Sequence, residues 1–209
     1  MVQIQVPSNV PYLQEDLTIE QLINWLAKYG QTNAGGVTRL LYSPSWLQAQ
    51  KALKEKMETM GFETYFDSVG NLFGRAIGTV HTEKVILTGS HIDTVIQGGK
   101  YDGAYGIAAS LLAVKRLIEH YGSPKYTIEV VSLCEEEGSR FPLTYWGSKN
   151  VMGQYDASAI SSLKDKNDVS FIDAMGEAGF PLSHYQSSKR KDVQHFVEVH
   201  IEQGQVLEN

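Results

Sequence analysis

The chain has 209 residues, with 42% hydrophobic and 20% charged residues and a net charge of -6. That profile fits a globular protein with one domain, or one and a piece of another, and the acidic balance excludes a general affinity for nucleic acid. No apolar run approaches the roughly 18 residues a membrane span needs, residues 1–16 lack the basic and apolar regions of a secretory signal, and the single Cys134 excludes an internal disulfide framework. These absences predict a cytoplasmic protein that does not bind membranes.

Residues 1–16 read as a loose lead-in, with the first domain starting at residue 17. Thr18 and Gln21 form a capping box, and Leu22, Trp25 and Leu26 carry helical spacing towards Gly30. Ser43 and Pro44 read as the N-cap and first turn of a second helix that ends at Gly61. FETYFDSV and NLFGRAI predict a hairpin turning at Gly70 and Asn71. VILTGS, 85–90, predicts a buried strand, 106–122 a helix stopped by Gly122, and TIEVVSLC, 127–134, a second buried strand. Strand, helix, strand is a βαβ unit. The expected fold is therefore a three-layer α/β/α domain, a mainly parallel sheet with helices on both faces. Residues 154–167 read as a loop, FIDAMGEAGF as a short surface helix, and HFVEVHIEQG, 195–204, as a strand.

In such sheets ligands collect at the carboxyl ends of strands. The chemistry-bearing residues sit there: His91 and Asp93 after one strand, Asp102 in the following loop, Glu135, Glu136 and Glu137 after the next, and His200 and Glu202 towards the end of the last. Two imidazoles and several carboxylates on one rim suit a divalent cation with N and O ligands. Asp93, two residues from His91, is placed to hold the second ring nitrogen of that histidine. Gly98, Gly99 and Gly103 let backbone pass close to another group, and three adjacent carboxylates repel unless a cation sits among them. On extended backbone Glu136 and Glu137 point in opposite directions, which suits one as ligand and the other as base for an attacking water. Cys134 reads as core and Arg39 as structural. Arg140 and Gln203 flank the site, Arg140 being equally suited to a substrate carboxylate and to an internal salt bridge.

GSHIDTVIQGGKYDGAYG, EEEGSRFPLTYWGSKNVMG and VEVHIEQGQVLE, with GGVTRLLYSPSW and VGNLFGR, resemble the signatures of the allantoate amidohydrolase and N-carbamoyl-L-amino-acid amidohydrolase group, within the superfamily of two-metal aminoacylases and carboxypeptidases. The resemblance implies that His91, Asp102, Glu137 and His200 are metal ligands, Asp102 bridging two ions. One ion takes His91, Asp102 and His200, and the other takes Asp102, Glu137 and a further histidine. Glu136 matches the general base and Asp93 the partner of His91. It implies two divalent cations, Mn2+ or Zn2+ with Co2+ or Ni2+ as alternatives. The third glutamate and the Trp146 link look more like the allantoate enzymes. The implied reaction is hydrolysis of one ureido C–N bond of allantoate to ureidoglycine, ammonia and carbon dioxide, a step of purine catabolism. Alternatives are carbamoylase or ureidoglycolate hydrolase activity and, from another class, a non-catalytic assembly module. Members of the group continue beyond HIEQGQVLE into a lid and homodimerisation domain and a C-terminal catalytic segment that supplies the last histidine. The chain is accordingly expected to be an N-terminal part, weakly active or inactive alone, because His81, His120, His184 and His195 do not suit that role.

Overall fold

The computed structural model describes residues 17–155, 157–186, 189–204 and 206. The proposed lead-in, 1–16, lies outside the described residues. Helix α1 spans Ile19–Ala27 and closes its N-terminus with the expected reciprocal box: the Gln21 N–H donates to Thr18 Oγ1 (3.1 Å) and the Thr18 N–H to Gln21 Oε1 (2.8 Å). Helix α2, Pro44–Thr59, starts from Ser43, whose hydroxyl accepts the Trp46 N–H. Strands β1 (Glu63–Phe66) and β2 (Leu72–Ala76) form the antiparallel hairpin. Then follow β3 (His81–His91), helix α3 (Ala104–Tyr121) and β4 (Tyr126–Leu133), the βαβ unit read from the sequence. Helix α4 (Trp146–Val151), helix α5 (Phe171–Glu177) and β5 (Val193–Val197) complete the order.

The sheet runs β1-β2-β4-β3-β5. Pairings of β3 with β4 and with β5 are parallel and those of β2 with β1 and β4 antiparallel, so four strands share one direction and β2 opposes them. The two faces are unequal. Leu72, Ala76 and Val130 on one face join residues of α2 and α3 in the main core, around Trp46, Leu53, Met57, Ile107 and Leu111, and α1 packs on α3 through Leu22 and Ile23. The other face carries a smaller cluster, Phe73, Val85, Leu87, Val131 and Leu133, met by Val151 of α4. Among the described residues no helix is long and apolar enough to cross a membrane.

Three local expectations change. The last strand covers Val193–Val197, not 195–204. Beyond it the Ser90 hydroxyl donates to Glu198 Oε1 (2.6 Å), and the Val199 carbonyl passes 2.6 Å from where a Cβ on Gly106 would stand. Those contacts turn the chain out of the ladder towards the start of α3. Helix α5 is not a surface element: Phe171, Ala174 and Met175 are buried in the main core. Residues 154–167 are partly ordered by a 3-10 turn at Ala157–Ile160, with Ile160 buried, and by a bridge between Lys164 and Ser170.

Candidate metal centre

Parallel register brings the site residues to one rim. His91 ends β3 opposite Leu133, the last residue of β4, so the segments after both strands emerge together. Thr88 pairs with Val197, and His91 and His200 each lie three residues further along. Asp102 immediately precedes Gly103, the N-cap of α3, where the positive end of the helix dipole favours a carboxylate. Only glycine fits that N-cap. Gly103 has φ +61°, and a Cβ there would stand 2.2 Å from the His91 carbonyl oxygen and 2.8 Å from its ring. Gly99, by contrast, has open space around it, so close approach does not account for it. Arg39 is buried as expected of a structural residue, its Nε donating to the Ile92 carbonyl (2.9 Å) between His91 and Asp93.

His91 Nε2 lies 3.7 Å from Asp102 Oδ1 and 3.5 Å from His200 Nε2, and His200 Nε2 lies 3.4 Å from Asp102 Oδ1. Donors about 2.0–2.1 Å from a tetrahedral cation stand about 3.3–3.4 Å from one another, so this triangle is the size a divalent ion requires. Two neutral imidazoles and a carboxylate are also the right chemistry for it. His91 Nδ1 faces Asp93 Oδ1 at 3.2 Å, which leaves Nε2 directed at the triangle. In a second group one ligand atom each of His91, Glu136 and Glu137 lies within 4.8 Å of the others, and Glu137 also neighbours Asp102. Glu136 and Glu137 therefore do not diverge as extended backbone requires. The segment folds back, with the Glu136 and Glu137 N–H groups donating to the two oxygens of Asp93 (3.0 Å each) and the Gly138 N–H to Glu135 Oε1 (2.6 Å).

Charge is concentrated here. The adjacent His91 ring lowers the Asp102 carboxyl to about 2 against the opposing effect of its burial. Burial disfavours the His91 imidazolium, but Asp102 and Asp93 outweigh it and hold that ring well above the usual histidine range. Burial and the neighbouring Asp102 push Glu137 up to about 7. Burial and the adjoining Asp93 push Glu135 up to about 10. Glu135, named in the sequence as one of three adjacent glutamates, is 2% exposed, and its contact with Asp93 is too long-range for the sequence to show.

Gln203 lies beside Asp102 and is exposed at the rim. Arg140 makes the internal salt bridge that was one of its two expected roles: Nε donates to Asp165 Oδ2 (3.0 Å), Nη1 to the Leu41 carbonyl (2.8 Å), and the guanidinium lies over Phe141. Among the described residues no further histidine joins His91 and His200.

Residues 87–209 match the sequence profile of peptidase family M20/M25/M40, more than half of the chain. The chain belongs to peptidase family M20/M25/M40. This M20-type chain is similar to the allantoate amidohydrolase of Bacillus subtilis (strain 168), with 56% identity over 191 residues, 91% of this chain and 46% of that protein. It is 49% identical over 191 residues to the allantoate amidohydrolase of Escherichia coli (strain K12), again covering 91% of this chain and 46% of the relative. The chain thus spans about half the length of the curated relatives it matches. Its fold overlays the crystal structure of a hydantoinase/carbamoylase family amidase from Burkholderia multivorans with a TM-score of 0.82 at 29% identity, covering 91% of this chain and 46% of that one. M20 is a family of two-metal hydrolases, which agrees with the donor set at the rim.

Proposed function

We propose that the chain is the N-terminal part of the catalytic domain, residues 17–209, of an allantoate amidohydrolase. The enzyme hydrolyses the terminal C–N bond of one ureido group of allantoate with one water, releasing ammonia and leaving a carbamate that loses carbon dioxide to give ureidoglycine. The observation that carries this reading is the His91–Asp102–His200 triangle on a chain 56% identical to an allantoate amidohydrolase. Its lid and homodimerisation domain and its C-terminal catalytic segment would correspond to the parts of those relatives that this chain does not span.

His91, Asp102 and His200 would hold one cation, and Asp102 and Glu137 would contribute to a second, whose remaining ligand is not among the described residues. Mn2+ or Zn2+ suits this mixed set, with Co2+ or Ni2+ next. When bound, the ions supply Lewis-acid polarisation of the scissile carbonyl. Asp93 fixes the His91 ring through Nδ1 and the backbone of Glu136 and Glu137 through their N–H groups. Glu136, half-buried and unpaired with Asp93 through its side chain, accepts the proton of the attacking water at its carboxylate and returns it to the departing nitrogen. Gln203, exposed beside Asp102, is placed to meet the ureido group. Arg140, engaged with Asp165 and Leu41, supports the rim from behind instead of meeting substrate.

The test is ammonia release by the metal-supplemented enzyme, with the lid and C-terminal segment this reading gives it, from allantoate, N-carbamoyl amino acids and ureidoglycolate in parallel. Release from allantoate above the others supports the reading. Preference for an N-carbamoyl amino acid or for ureidoglycolate replaces the substrate. A protein that binds no divalent metal and acts on none of the three is a non-catalytic module.

A further inference from the structure

Asn71 sits at the turn of the β1–β2 hairpin, far in sequence from every residue of the metal centre, and is fully buried. Its amide is saturated. Oδ1 accepts the Cys134 N–H (2.8 Å), and Nδ2 donates to Asp67 Oδ2 (2.7 Å) and to the Gly147 carbonyl (3.1 Å). The Trp46 indole N–H donates to the Cys134 carbonyl (2.9 Å), so both backbone groups of Cys134 are gripped by side chains. Cys134 is the residue between the end of β4 and Glu135. The far side of the same segment is tied as well: the Gly147 N–H donates to the Glu135 carbonyl (3.2 Å) and the Tyr145 N–H to the Glu136 carbonyl (3.1 Å). Gly147 approaches so closely that a Cβ on it would stand 2.5 Å from Asn71 Oδ1. One amide thus joins the hairpin turn, the exit of β4 and the start of α4 at the point where the chain begins to fold back over Asp93.

From this we infer that Asn71 is a positioning residue for the metal centre: by fixing Cys134 and Gly147 it sets the path of the Glu136–Glu137 segment, and so the placing of both carboxylates against His91 and Asp102. Asn71 touches neither substrate nor cation. Its effect passes through backbone, and Trp46 serves the same end from the other side of Cys134. The inference rests on the metal-centre reading for its consequence, but its geometry is independent of any ion.

The experiment uses the 15N-labelled chain and the variants Asn71→Ala and Trp46→Phe, the second keeping an aromatic ring in the core while deleting the indole donor together with part of the buried ring system. Amide hydrogen exchange is followed at Glu136 and Glu137, whose N–H groups are held by Asp93, with Leu87 and Val130 of the central strands as internal references. Zn2+ affinity is measured by calorimetry on the same samples. Exchange at Glu136 and Glu137 is expected to accelerate at least tenfold in Asn71→Ala, and in the same direction in Trp46→Phe, relative to Leu87 and Val130. Zn2+ affinity is expected to fall about 10-fold or more, the usual loss when a group supporting the ligands is removed. A merely structural Asn71 would speed exchange at all four amides together. That uniform change, or wild-type exchange at Glu136 and Glu137, overturns the inference, and Trp46→Phe decides it if Asn71→Ala does not fold. If the wild type binds no Zn2+, the metal-centre reading fails while the exchange data still decide the positioning claim.

Discussion

Asp93 accepts the Glu136 and Glu137 N–H groups on its two oxygens while one of those oxygens faces His91 Nδ1, so one buried carboxylate orients a ligand ring and the carboxylate segment at once. Such a centre holds protons when no cation is present: Glu137 is pushed up to about 7 by burial and Asp102, and His91 is held well above the usual imidazole value by Asp102 and Asp93. A cation needs the ionised carboxylate and the neutral imidazole, so protons compete with it and affinity rises with pH. Zn2+ affinity is expected to increase across the neutral range with net proton release, measured as a dependence of calorimetric enthalpy on buffer ionisation. Replacing Glu136 by Gln leaves the His91–Asp102–His200 triangle intact and removes the base. In the enzyme carrying the lid and C-terminal segment that the proposed function gives it, allantoate hydrolysis is expected to fall about 10²–10⁴-fold with the first-bound Zn2+ retained, checked by ammonia release and calorimetry together. At this scale the sequence was readable where chemistry is local: the His-x-Asp pair, the glutamates following a buried strand, the late histidine. It named Glu135 and Asn71 but not their contacts, which depend on partners such as Asp93 and Cys134 tens of residues away. It was misleading on Glu136 and Glu137, because their opposite pointing assumes an extended backbone that the Asp93 and Gly138 hydrogen bonds fold back.

Register explains why elements far apart in the chain share a site. With His91 opposite Leu133 and Thr88 opposite Val197, three strand ends terminate on one edge, and α3 begins there as well. The weak point of that arrangement is the entry to α3, where Gly103 lies against His91. Gly103→Ala imposes a left-handed φ on a residue with a Cβ and drives that Cβ into the His91 carbonyl. The expected cost is about 1–3 kcal/mol of stability, read from urea unfolding, with a loss of Zn2+ affinity from the displaced His91 and Asp102. Elements specified by their own residues were legible in the sequence: the Thr18 box, the Ser43–Pro44 start, the hairpin and the βαβ unit. Elements specified by neighbours were not. The alternation of HFVEVHIEQG continues past Val197, but the Ser90–Glu198 bond and the close pass of Val199 over Gly106 divert the backbone. Helix α5 is short enough to read as peripheral, yet its apolar Phe171 and Met175 join the main core, with Phe171 against Trp146 and Phe141.

As a whole, the molecule places its main core on the α1–α3 face of the sheet and a smaller cluster on the other, with the donor triangle on the rim between β3, β5 and α3. A cation there ties residue 91 to residues 102 and 200, so binding and folding are linked. At free Zn2+ a hundred times its dissociation constant the stabilisation is about 2.7 kcal/mol, which for a domain of this size raises the unfolding midpoint by roughly 5–10 °C. Thermal unfolding with Zn2+ and after chelation is expected to differ by that amount, reversibly. The central claim, that His91, Asp102 and His200 converge on one divalent cation, is tested most directly by calorimetric titration of Zn2+ and Mn2+ into the 209-residue chain and its His91→Ala, Asp102→Ala and His200→Ala variants. The expected result is stoichiometric binding by the parent chain and a loss of about 100-fold or more in affinity for each variant, beyond the loss usual for a supporting group. A parent chain that binds neither ion, or variants that bind as tightly as the parent, would contradict it.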